Sequence, residues 1–425
     1  MELNSERQKK SPSEEKIQEL TARLSELQKK EARYIVPNEY DRIMTGQGAQ
    51  EVNATTDVDY TNYYMTLPAN KLELWAMMES QRLIYPAWRE FYQERDVVME
   101  ERRMRTDDSP TGKLYEQFIS TCFFSHPYRN PTIGWMPDLN NLTIQKTNAF
   151  YREWYVPENL VAVLTGDLNV DEVREVMNRY FGTIPAQKSP PKATTVEPAQ
   201  IGERRVEVEF EAQPQVMIGW HKPTFPDKDT YVFEVLQFLL TRNGRSSRLY
   251  ERLVKSDALC QDVEAFTGPG DKYPNLFIAY FTPRAPHTAA EGEAAVLQEL
   301  ERLKREPVTP EELNRTRNLM EAAFLKELET NLGFARKLGY YYVSSRDPDI
   351  IDKLRDEMNK VSAEDIQRVA QKYFTKQNRT VATLLTVQAE GEASGTSAGA
   401  VPSSSNATSA TASSNPKADA DAETR

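Results

Sequence analysis

The sequence predicts an α+β fold made of two tandem homologous domains, each a mixed or antiparallel sheet with helices packed on it, the first lacking its opening strands and helix. Three observations carry this. Stretches with strand-like alternation and stretches with helical spacing interleave along the chain. Two groups of residues recur in the same order in both halves. What precedes the first recurrence differs between the halves. The 425 residues suffice for two domains of ordinary size.

Residues 1–33 are rich in Glu, Lys, Arg and Gln, with Ile17, Leu20, Leu24 and Leu27 as a narrow apolar stripe. Two heptads are too few for a self-sufficient coiled coil, so this reads as a projecting helix that packs on its own protein. Residues 34–185 form the first domain. It contains a helix over Lys71–Arg82, with Leu72, Leu74, Trp75, Met78 and Leu83 on its buried side, and a second over Phe91–Arg105. A third runs over Leu142–Trp154, started by the capping residue Thr143. A β-type run, Leu160–Thr165, ends at Gly166-Asp167 and leads into a helix over Val170–Tyr180. Residues 186–202, with Pro and Lys, read as a linker. Residues 203–388 form the second domain. Residues 389–425 are Ala, Ser, Thr, Gly and Asn with almost no large apolar side chain, a composition that cannot offset ordering entropy and predicts disorder.

The duplication rests on two matches. Gln50-Glu-Val-Asn-Ala-Thr-Thr56 resembles Gln261-Asp-Val-Glu-Ala-Phe-Thr267, and Thr143, Tyr155 and Asn159 share their spacing with Ser362, Phe374 and Asn378. The second copy opens with strands at Arg205–Phe210 and Val216–Trp220 and an apolar helix at Val232–Leu240. Before Gln50 stand 49 residues dominated by the charged helix. The first copy therefore reads as N-terminally incomplete.

The net charge of −11 argues against a general nucleic-acid binder, which needs a basic footprint. The doublets Arg102-Arg103 and Arg204-Arg205 read as solvated faces. Cys122 and Cys260, the only cysteines, read as small core residues. No apolar run is long enough to span a membrane. The first residues contain no apolar signal region; a leader lost with the N-terminus would fit a bacterial periplasmic address.

Several segments together resemble the insulinase/pitrilysin family of zinc metallopeptidases, the group that includes mitochondrial processing peptidase. They are Asn53-Ala54-Thr55-Thr56, the Glu-Arg-Asp-Val-Val-Met-Glu-Glu run from Glu94 to Glu101, His126-Pro127-Tyr128 with Gly134, and Tyr155-Val-Pro-Glu-Asn159 leading to Gly166-Asp167. Ser247-Arg248-Leu249-Tyr250 and the stretch Asn378–Val387 match in the second copy. The resemblance covers residues 34–388. It implies peptide hydrolysis by a zinc-activated water, with the metal held by His-x-x-Glu-His on one helical face and a further Glu downstream. By motif position that Glu is Glu101, and Glu94, two turns earlier, is its outer-shell partner. Asn53 and Ala54 fall on the edge strand expected to bind an extended peptide by backbone pairing.

The chain departs from the pattern at both catalytic poles. Its three histidines, His126, His221 and His287, are never four apart, and the missing motif belongs on the missing helix. His126 reads as a surface or loop residue. The Arg and Tyr with which the family's second half often holds substrate would fall at Val254 and Gln261, and neither matches. Zinc is therefore expected for the family but not held by this chain alone. Three readings stay open: a truncated zinc peptidase, a non-catalytic partner or scaffold of a two-chain peptidase, and a gene remnant with an exposed core face and sheet edge. The implied partners are a peptide or unfolded polypeptide substrate and a homologous partner chain or second copy, with no nucleic acid and no membrane span.

Overall fold

The structure, a computed structural model, describes Glu2, Glu6 and residues 9–387, so the expectation for the 389–425 tail lies outside the described residues. In the first half, α1 (Glu14–Glu31) and α2 (Glu39–Gly46) precede an antiparallel hairpin, β1 (Gln50–Thr56) and β2 (Thr61–Thr66). Then come α3 (Leu72–Ile84), α4 (Phe91–Arg102), α5 (Pro110–Cys122), the short α6 (Met136–Asn140), α7 (Ile144–Trp154) and α8 (Val170–Tyr180). The second half runs β3 (Arg204–Phe210), β4 (Gln215–Lys222), α9 (Asp229–Gln237), β5 (Cys260–Gly268), β6 (Asn275–Pro283), α10 (Ala289–Arg305), α11 (Pro310–Glu327), α12 (Asn331–Ser345), α13 (Ile350–Lys360), α14 (Ala363–Tyr373) and β7 (Arg379–Thr386). The chain is α+β, as its sequence predicts.

The second-half sheet has the order β3-β7-β4-β6-β5, parallel between β3 and β7 and antiparallel elsewhere. In β4, Val216, Ile218 and Trp220 face a core filled from α9, α10 and α14, while Met217 faces the other way. That opposite face is covered by the first half. Leu114, Phe118, Ile119 and Cys122 of α5, with Phe123 and Tyr128 just after it, pack on Val208, Met217, Ile278, Ala382 and Leu384. Gly219 makes the approach possible, since a Cβ there would sit 2.5 Å from the Phe118 ring. Each fully buried side chain of this size contributes about 1.5–3 kcal/mol, so the junction between halves is a hydrophobic core in its own right.

The duplication is visible as repeated local chemistry. Thr143 caps α7 by accepting the Lys146 N–H, and Ser362 caps α14 by accepting the Asp365 N–H. At the other end of each helix an asparagine side chain satisfies a terminal carbonyl: Asn159 donates to Trp154 O at 3.0 Å and Asn378 to Tyr373 O at 3.0 Å.

Several expectations need correction. Leu160–Thr165 is not a strand: among the described residues no strand ladder includes it, and Leu160 and Val161 are 38% and 37% exposed. The matching run β7 is a strand because β3 and β4 flank it. The helix expected over Lys71–Arg82 forms, but only Ala76 and Ser80 are fully buried; Leu72, Leu74, Trp75, Met78 and Leu83 are half-buried. The stripe on α1 is likewise half-covered, with Leu27 exposed. The helix from Phe91 is α-helical to Arg102 and continues as a wider π-type turn to Asp107. Cys122 and Cys260 are free, buried core residues, as expected.

Candidate functional site

Helix α4 carries both predicted carboxylates. Phe91, Tyr92, Arg95, Val98 and Met99 face inward while Gln93, Glu94, Asp96 and Glu100 are exposed. Glu94 and Glu101, seven residues apart, lie on the same side of the helix. Glu101 is half-exposed and pairs with Arg105 at 3.0 Å, one turn on. An exposed pair at this spacing contributes well under about 1 kcal/mol.

Arg102 departs from the solvated-face reading. Only 3% exposed, it binds Glu116 of α5 at 2.8 Å, Asp107 at 3.3 Å and the Gly134 carbonyl at 2.7 Å. Arg204 is likewise half-buried and donates to the carbonyls of Thr121 and Cys122 at the end of α5. Both arginines find fixed acceptors well beyond the doublet, which a charged pair in sequence does not reveal.

The histidines are dispersed, and each has a local role. His126 is 4% exposed, not a surface residue: its Nδ1 accepts the Tyr128 N–H at 3.2 Å and shapes the turn that follows α5. The Phe123, Tyr128 and Tyr273 rings surround it. Burial holds its imidazole below the usual histidine range. His221 on β4 lies 3.0 Å from the Cys122 carbonyl and is also held low by burial. His287 sits 3.5 Å from Glu291. Among the described residues, no three His, Cys, Asp or Glu side chains are placed to hold a metal ion. The residues present thus do not fit a zinc site: Glu101 faces an arginine, and among the described residues no histidine joins two further ligand side chains.

At the second pole, Val254 packs against the second-half core and Gln261 binds Gln213 at 3.1 Å, so neither replaces the missing Arg and Tyr. The hairpin is more suggestive. Asn53 and Ala54 are both exposed on β1, paired with Tyr64 and Tyr63 of β2. The Asn53 side-chain oxygen accepts the Ala54 N–H at 2.8 Å, satisfying a strand donor without a second chain. Among the described residues β1 pairs with β2 alone.

Sequence reasoning missed the groups that join the halves. Glu197 of the linker accepts the backbone N–H groups of Phe124, Ser125 and His126 at 2.7, 2.9 and 3.0 Å. Burial opposes its ionisation, but these donors prevail and hold the carboxyl below the usual range. Tyr128 binds Asp59 at 2.8 Å. The His-Pro-Tyr turn was visible in sequence, but its partners lie up to 145 residues away.

Residues 141–320 match the family model described as the Peptidase M16 inactive domain. The chain is 32% identical over 360 residues to the zinc protease PqqE of Helicobacter pylori, covering 83% of this chain and 80% of that one. It is 24% identical over 301 residues to the mitochondrial-processing peptidase subunit beta of Lentinula edodes, covering 66% and 62%. The crystal structure of a protease from Helicobacter pylori superposes with a TM-score of 0.77 at 28% identity, over 82% of this chain and 84% of that one. On the sequence identity and coverage shared with the Helicobacter zinc protease, this chain belongs to the M16 peptidase family, the insulinase/pitrilysin group.

Proposed function

We propose that residues 34–387 form a non-catalytic, peptide-holding component of a two-chain zinc peptidase, in which the metal-binding histidine pair resides on a homologous partner. The observation that carries this is the contrast between the two poles. Among the described residues β1 has no strand partner besides β2, which leaves an edge for an extended polypeptide once the Asn53 side chain releases the Ala54 N–H, while no group among the described residues can hold zinc. The match to an inactive-domain model and the similarity to a named subunit of a processing peptidase support the same reading. Glu101, neutralised by Arg105, acts here as a surface residue.

A second reading is favoured by the similarity to the Helicobacter zinc protease. In it, a His-x-x-Glu-His segment of the same polypeptide joins Glu101 as third ligand, backed by Glu94. One experiment separates the two. The pure chain is assayed for bound zinc and for chelator-sensitive cleavage of casein, alone and mixed with an M16 chain bearing His-x-x-Glu-His. The proposal expects no stoichiometric zinc and no cleavage by the chain alone, with cleavage enhanced on mixing. Stoichiometric zinc with chelator-sensitive cleavage by the chain alone overturns it.

A further inference from the structure

A two-stranded hairpin is marginally stable by itself, so the position of the β1 edge must come from what holds the β1–β2 turn. That turn reaches into the second half. Asp59 Oδ2 accepts the backbone N–H groups of Asp271 at 2.8 Å and Lys272 at 3.0 Å. The Tyr128 hydroxyl donates to the same carboxylate at 2.8 Å and accepts the Tyr273 N–H at 3.1 Å. Two successive N–H groups converging on one carboxylate make an anion-holding concavity with charge-assisted bonds. Gly270 leaves room for it: a Cβ there would lie 2.3 Å from Asp59 Oδ2 and 2.7 Å from the Tyr128 hydroxyl.

The connection continues into α12. The Asp271 side chain, whose backbone holds Asp59, accepts from the Tyr340 hydroxyl. Tyr340 packs edge-on against Tyr60 with ring centres 5.7 Å apart. The hairpin turn is thus clamped between the 268–275 turn and α12.

We propose that Asp59 is a positioning residue for polypeptide binding: seated over Gly270, it fixes the hairpin against the second half and so sets where the β1 edge presents its backbone. The inference rests on the reading of β1 as the peptide-accepting edge.

The test uses the full chain and three variants, Asp59→Ala, Asp59→Asn and Gly270→Ala. Backbone hydrogen exchange is followed by mass spectrometry, and binding of fluorescein-labelled casein, an unfolded polypeptide, by anisotropy. Asp59→Ala and Gly270→Ala are expected to speed exchange across 50–66 while 216–222 and 276–281 keep wild-type protection. They should also weaken casein binding about tenfold, the factor that follows when the correctly held hairpin falls to about a tenth of the population. Asp59→Asn, which keeps one acceptor oxygen, should fall between them and wild type. Unchanged exchange at 50–66 in both Asp59→Ala and Gly270→Ala overturns the clamp. Faster exchange with wild-type casein affinity overturns the positioning role. Absence of casein binding by the wild type removes the peptide-edge reading and the positioning role with it, and exchange then still decides whether Asp59 holds the hairpin.

Discussion

Removing the guanidinium of Arg102 would take the close, enclosed partner from the buried Glu116 carboxylate and leave it only the partly exposed Lys113, 3.6 Å away. Breaking a buried pair from one side costs about 3–5 kcal/mol. Arg102→Ala is therefore expected to lower the urea midpoint strongly, whereas Arg105→Ala, at the exposed pair with Glu101, should change stability by less than about 1 kcal/mol. Equal losses from the two would contradict the assignment. The sequence hid this distinction. Arg102 and Arg105 occupy one charged segment, and only the position of Glu116, fourteen residues on and carried by another helix, decides which of them is enclosed. Glu94 and Glu101 lie on one helix, and their seven-residue spacing puts them on one side of it. What that face meets was not legible, because the partners of a helix are set by packing rather than by period.

At the scale of elements, the most legible features were those whose cause is local. Alternation in β3, the hydroxyl caps at Thr143 and Ser362, and the recurring asparagine each depend on neighbours a few residues away. The two asparagines nevertheless sit in different surroundings. Asn378 also donates to the His221 carbonyl of β4 at 2.9 Å, tying the end of α14 to the sheet, while Asn159 holds Trp154 O alone. Asn378→Ala should cost about 1–3 kcal/mol and Asn159→Ala about 0.5–1.5 kcal/mol, a difference chemical denaturation resolves. The same asymmetry explains the misread run at Leu160–Thr165. Strand propensity there is real, but a ladder needs partners, and β7 has two where this run has none among the described residues.

The whole molecule depends on a seam in which two histidines are buried in neutral form. His126 and His221 have folded pKa values below the ordinary value of about 6.5, so their contribution to stability is intact above that pH and is lost as pH falls through it. Glu197, held low by three backbone donors, loses its contribution in the same direction at more acid pH. Asp271 and Glu234, raised by burial, act oppositely, so the informative quantity is a difference between variants. His126→Asn can keep the bond from Tyr128 N–H through an Asx turn without titrating. The fall in urea midpoint between pH 7.5 and 5.5 is expected to be smaller in this variant than in wild type. An identical fall would show that His126 does not sense the change.

Helix α5 belongs by chain order to the first half, yet it forms the second face of the other half's sheet. Loss of the first half would strip Met217, Ile278 and Leu384 of their cover, so neither piece is a free-standing folding unit. The covalent link between them is then incidental to their association. Limited proteolysis within 186–195, outside the stretch held by Glu197, should yield two fragments that elute together under native conditions and separate only in denaturant. Their joint melting should follow a single transition. The protein would behave as a heterodimer whose subunits happen to share a peptide bond.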